Sequence, residues 1–130
     1  MKKISFMAIF VLGLVVLAGC GQQKGTTGNK VNNAGSVKEF VMTSFYDDKG
    51  IWFSLKEITV NKGDIVRIKV TNIKGNHDFT LDEYGIKEIT PLDKEVVIEF
   101  TADKIGEFTY YCSVLGHRQK GQWGTLKVSG

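Results

Sequence analysis

From residue 37 onward the chain alternates apolar and polar residues with a period of two, in short runs broken by turn residues. Ile65 to Val70 sets Val66, Ile68 and Val70 on one face and Arg67 and Lys69 on the other, as in a strand with one face buried. Lys94 to Phe100 repeats the pattern through Val96, Ile98 and Phe100, and Leu126 and Val128 mark a last strand. Phe108, Tyr110 and Cys112 share one parity, so Cys112 is expected to point inward at a strand end. Phe53 and Leu55 share a parity that Ile58 and Val60 do not, which predicts a bulge near Lys56 or Glu57. Val37 to Tyr46 is apolar on both parities and leaves its buried face open. Turn residues cluster at 47–50, 61–64, 74–76 and 104–106. No helical periodicity and no internal repeat is present. The expectation is an all-β sandwich or barrel of about seven strands.

The first 36 residues lie outside that pattern. Lys2 and Lys3 precede an almost wholly apolar run from Ile4 to Ala18, shorter than the roughly 20 residues a membrane-spanning helix needs. This is the layout of a secretory signal. Its end, Leu17-Ala18-Gly19-Cys20, resembles the bacterial lipobox, which makes 1–19 a lipoprotein signal peptide and Cys20 the lipidated first residue of the mature protein. An ordinary signal cleaved nearby, or an uncleaved anchor, is the alternative. Two or more acyl chains on Cys20 would hold the protein at a membrane, whereas one would not. The segment 20–36 is rich in Gly, Asn, Thr and Gln and reads as a flexible tether reaching about 20–25 Å. One small domain, 37–130, follows.

Charge narrows the partners only by exclusion. The chain carries 17 basic and 14 acidic residues; losing Lys2 and Lys3 leaves 15 against 14, a net charge of +1. No basic stripe suggests nucleic acid and no acidic block suggests a cation store. The cysteines say more. With Cys20 committed to lipid, Cys112 is the one thiol left in an exported domain. A free thiol in an oxidising compartment is a liability unless something uses or protects it.

His77 and His117 are the chain's two histidines. His117 follows Cys112 by five residues in a Gly-containing loop, and His77 begins a strand with inward parity ahead of Phe79 and Leu81. One thiolate and two imidazoles are the donor set of a mononuclear copper centre. Thiolate suits Cu(I), imidazole suits both oxidation states, and a trigonal set with a weak axial donor rearranges little between them. Taken one at a time, a buried Cys is usually an inert small hydrophobe and a loop His a solvated surface residue. The three together point to a metal.

The run Tyr110-Tyr111-Cys112-Ser113-Val114-Leu115-Gly116-His117-Arg118-Gln119-Lys120-Gly121-Gln122-Trp123-Gly124 resembles the C-terminal copper loop of small cupredoxins, often written Y-Y-C-x-x-P-G-H-x-x-x-G-M-x-G. Asn76-His77-Asp78-Phe79 resembles their N-terminal ligand segment, and Asn61-Lys62-Gly63-Asp64 the turn before it. The similarity runs from about Val37 to Gly130. It implies a Greek-key β-sandwich with both ligand segments at one end, one copper ion cycling between Cu(I) and Cu(II), and electron transfer to redox protein partners.

Two departures from the family pattern stand out. Leu115 replaces a common Pro. Gln122 replaces the axial Met, and Met42 is far away in the chain. Gln is an axial alternative in blue-copper sites, so Gln122 is the expected fourth ligand. The alternatives are a Gln122 side chain in solvent, or a backbone carbonyl near Gly75 or Gly121 beside the metal. Lys120 is a poor ligand because it would have to lose its proton. Asp78 is positioned to hydrogen-bond Ser113 and tie the ligand segments together, the alternative being an ordinary polar turn residue. His117 is expected to offer its ring edge to solvent as the electron exit, beside a rim of Leu115, Gly116 and Gly121 with Arg118 and Lys120 near it.

Counting excludes two copper enzymes. A multicopper oxidase needs more histidines, and the dinuclear domain of cytochrome oxidase subunit II needs two loop cysteines. A Cys–His hydrolase lacks the helix terminus and oxyanion arrangement such chemistry uses. The sequence therefore reads as a membrane-anchored, extracytoplasmic, non-enzymatic electron carrier, with nothing requiring more than a monomer. Copper trafficking or sensing, and a metal-free adhesion or assembly module, are the competing readings.

Overall fold

The computed structural model describes residues 35–130; the expected signal peptide, Cys20 and nearly all of the tether lie outside them. Nine strands are present among the described residues: β1 (Val37–Asp47), β2 (Gly50–Phe53), β3 (Glu57–Asn61), β4 (Ile65–Asn72), β5 (His77–Leu81), β6 (Ile86–Thr90), β7 (Glu95–Thr101), β8 (Gly106–Tyr111) and β9 (Trp123–Ser129). They form a four-stranded sheet, β2-β1-β4-β7, and a five-stranded sheet, β3-β9-β8-β5-β6. Two pairs are parallel, β1 with β4 and β3 with β9, so the chain passes repeatedly from one sheet to the other.

The period-two runs bury the faces they predict. Val66, Ile68 and Val70 are at most 1% exposed, as are Tyr110, Cys112 and Leu126. In β1, where alternation was ambiguous, Met42 and Ser44 face inward while Val37 and Val41 stand in solvent. Phe53, Phe79 and Tyr110 form the aromatic centre of the core, with Phe79 and Tyr110 stacked at 5.4 Å. Tyr110 fits because Gly124 faces it: a Cβ there would lie 2.3 Å from the tyrosine.

Two expectations need correction. The predicted bulge is a crossover: after Phe53 the chain leaves one sheet and enters the other at Glu57. The parity change thus marks two strands facing the same core from opposite sides. The second addition is β6, an edge strand with Lys87, Glu88 and Ile89 all exposed. Its residues carry little alternation because it has almost no inner face. Nine strands replace the seven expected for these two reasons.

Candidate metal centre

The site lies between the loop entering β5 and the loop joining β8 to β9. His77 opens β5, and Cys112 directly follows β8. The single β5–β8 pairing, Thr80 with Tyr111, sets these two segments side by side. The loop from 113 to 122 then folds back through bonds from His117 N to Val114 O, Gln122 N to His117 O and Cys112 N to Gln122 O. Gly116 and Gly121 allow that reversal, with φ of 81° and 108°. Leu115, in place of the usual Pro, is 97% exposed and takes no part in closing the loop.

Four side chains converge. Ligand atoms of His77, Cys112 and His117 lie within 4.8 Å of one another. Nδ1 of His77 is 3.2 Å from Nδ1 of His117, and Cys112 Sγ is 3.5 Å from the same His117 nitrogen. Gln122 Oε1 joins them, 2.8 Å from His77 Nδ1 and 3.2 Å from His117 Nδ1. Donors about 2.0–2.3 Å from one ion stand about 3.3–3.7 Å apart. The 3.2 and 3.5 Å spacings to His117 fall close to that range, so the two histidines and Cys112 fit a single ion.

Hydrogen bonding argues the same way. A neutral imidazole has one N–H. His77 Nε2 lies 2.7 Å from the Lys74 carbonyl, which places the proton there and leaves a lone pair on Nδ1. Gln122 Nε2 donates to Trp52 O at 3.4 Å, which turns Oε1 inward. Nδ1 and Oε1 thus meet as two acceptors, and a cation is what relieves such a meeting. His77, Cys112 and Gln122 are 1%, 0% and 0% exposed, so the meeting lies out of bulk solvent. Only His117, half-buried, has an edge at the surface.

Burial disfavours the charged forms of Cys112 and His117. Burial pushes the Cys112 thiol up to about 11, against the opposing backbone N–H groups of Asp78 and Val114 that point at the sulfur. The Asp78 amide donates to Sγ at 3.4 Å. Burial, then the neighbouring His77, holds His117 below the ordinary imidazole value, which keeps a lone pair available near neutral pH.

Asp78 does what its position predicted. Its carboxylate accepts from Ser113 N at 2.6 Å and from Ser113 Oγ, joining the two ligand segments. Gln122 does not point to solvent, and the carbonyls of Gly75 and Gly121 each accept a hydrogen bond. Gly75 O accepts from Asn72 Nδ2, and Gly121 O from Lys56 Nζ. Lys120 is exposed.

Sequence reasoning missed several supporting groups. Asn72, fully buried, donates to both Gly75 O and Thr90 O and accepts from Lys74 N, so it holds the loop whose carbonyl orients His77. Thr90 Oγ1 donates to His77 O. Trp52 and Lys56 touch the far side of the Gln122 segment. None carries a motif: their roles depend on strand pairings between distant segments. Asn72 alone left a trace, a polar residue at inward parity in β4.

Comparison with known proteins agrees with this architecture. The family model of the cupredoxin-like domain matches residues 9–123. Nitrous-oxide reductases from Stutzerimonas stutzeri and Pseudomonas fluorescens are 36% and 38% identical over 96 residues, 70% of this chain. The chain spans only 14% of the length of either enzyme. Auracyanin A, a blue copper protein from Chloroflexus aurantiacus, has a TM-score of 0.60 at 20% identity, covering 72% of this chain and all of its own. The metal-binding domain of the Streptococcus pneumoniae Cu(I)-exporting ATPase CopA gives 0.59 at 22% identity, over 73% of this chain and 88% of its own. The nine-stranded sandwich carries a His–Cys–His group able to bind one copper ion, and this chain belongs to the cupredoxin-like domain family.

Proposed function

We propose that the protein is an extracytoplasmic electron carrier, tethered to a membrane through a lipid on Cys20. One copper ion would be held by His77 Nδ1, Cys112 Sγ, His117 Nδ1 and, axially, Gln122 Oε1. The ion would supply one-electron chemistry between Cu(I) and Cu(II); the protein's part is to hold donors suited to both states in fixed positions. The observation that carries the reading is the burial of three donors with a fourth, His117, at the surface. Such a site admits an electron through one ring edge while keeping water and larger ligands out. Leu115 beside His117, with Arg118 and Lys120 near, suits a redox partner presenting an acidic surface.

Voltammetry of the copper-loaded protein tests this reading. Reversible one-electron cycling with retained copper is expected; loss of the ion on reduction would instead indicate trafficking. That second reading draws on the likeness to the CopA metal-binding domain, and rapid surrender of copper to a weak chelator would favour it. The anchor is tested separately. Cys20→Ser should abolish incorporation of labelled fatty acid into the protein, and a variant that is still labelled contradicts lipidation at that residue.

A further inference from the structure

The loop that presents Gln122 is gripped from outside by a residue in the crossover between the two sheets. Lys56 Nζ lies 2.6 Å from Gly121 O and 3.2 Å from Trp123 O, the carbonyls immediately before and after Gln122. The same ammonium sits 4.8 Å above the Trp52 ring, and the Trp52 carbonyl accepts the Gln122 side-chain amide. Trp52 is itself fixed, its Nε1 donating to Asp47 Oδ1 at 2.9 Å. Gly121 has φ 108°, a conformation strained for any side chain, and a Cβ there would stand 3.3 Å from the Trp52 ring. Lys56 is in turn anchored by Thr125 N, which donates to its carbonyl. Backbone and side chain of Gln122 are therefore held by one small group, Lys56 and Trp52.

The geometry assigns Lys56 as a positioning residue: by clamping the carbonyls on either side of Gln122, it sets where Oε1 stands relative to the two imidazoles. The assignment rests on the copper reading above for its consequence and on the metal-free contacts for its cause. A charged donor bridging two carbonyls is stronger than a neutral one. An axial interaction is weak and sensitive to distance, so a small shift of its backbone changes the metal's electronic environment. Lys56 touches neither imidazole nor sulfur, so it acts through Gln122.

The test uses the full chain in mild detergent, as wild type, Lys56→Met and Lys56→Arg. In the metal-free protein, amide hydrogen exchange at Gln122 and Trp123 should quicken roughly tenfold in Lys56→Met. Exchange at Val66 and Ile68 should stay as it was, and Lys56→Arg should restore the loop. Unchanged exchange at Gln122 and Trp123 overturns the clamp. In the copper-loaded protein, Lys56→Met should shift the visible and electron paramagnetic resonance spectra, and that shift should vanish in a Gln122→Ala background. A shift of equal size without Gln122 shows that Lys56 acts by another route and overturns the assignment. A wild-type chain that takes up no copper removes the electron-carrier reading, and the metal-free exchange measurement then decides the clamp by itself.

Discussion

Gln122 Oε1 lies 2.8 Å from Nδ1 of His77, two buried atoms from segments 45 residues apart. Nδ1 carries no proton if Nε2 gives its own to the Lys74 carbonyl. The pair is then an acceptor facing an acceptor, with the second imidazole and the thiol completing the ring. A cation held between them relieves such a meeting.

The nature of the axial atom sets the direction of one prediction. A hard amide oxygen favours Cu(II) more than a thioether does. Gln122→Met should therefore raise the reduction potential, measured by redox titration of the visible absorption. An unchanged or lower potential contradicts an axial role for Gln122.

Asp78 is not among the four converging side chains but ties Ser113 to β5 through two hydrogen bonds. Asp78→Ala should loosen the Cys112 segment and weaken copper binding by about 10–100-fold, read by competition with a chelator of known affinity. Affinity equal to wild type would make Asp78 an ordinary turn residue.

The thiol gives a pH dependence whose sign follows from burial. Folded, metal-free Cys112 ionises near 11, above its ordinary value of 9.0. Between these values the folded state holds a proton that the unfolded state has released, so this contribution to stability is full below about pH 9 and is lost as pH rises toward 11. Thiolate absorbance in the ultraviolet should stay low at pH 9 in the metal-free protein, and Cys112→Ser should lessen the alkaline loss of stability. A thiolate already formed at pH 8 contradicts this. Copper uptake at neutral pH should in turn release a proton.

Packing makes a prediction independent of metal. Gly124→Ala would push a methyl group to within 2.3 Å of Tyr110, whose hydroxyl is held by Leu55 O. The overpacking should cost about 1–3 kcal/mol in denaturant unfolding. No loss of stability would mean that Tyr110 is free to move.

Much of this was legible in the residues. Parity alone placed Val66, Ile68, Tyr110 and Cys112 inside, because a sandwich strand with one wet face writes its burial with a period of two. Cys112 and His117 were legible as a thiol and an imidazole five residues apart in one loop, Gln122 only through the family resemblance, and Asp78 because it adjoins His77. Parity failed at 53–60, since a change of face and a change of sheet leave the same trace. It failed at β6, whose exposed edge has no alternation to show. The roles of Asn72, Trp52 and Lys56 were not legible either. Each acts on backbone carbonyls, which any residue supplies, and each reaches them only once the sheets have paired.

His77, Cys112 and His117 are expected to share one copper ion. Titrating the metal-free protein with Cu(II) while recording the visible spectrum tests it most directly. An intense thiolate-to-copper band should grow and saturate at one equivalent, and be absent in Cys112→Ser. A colourless protein at saturation, or a band that survives loss of the sulfur, would contradict it.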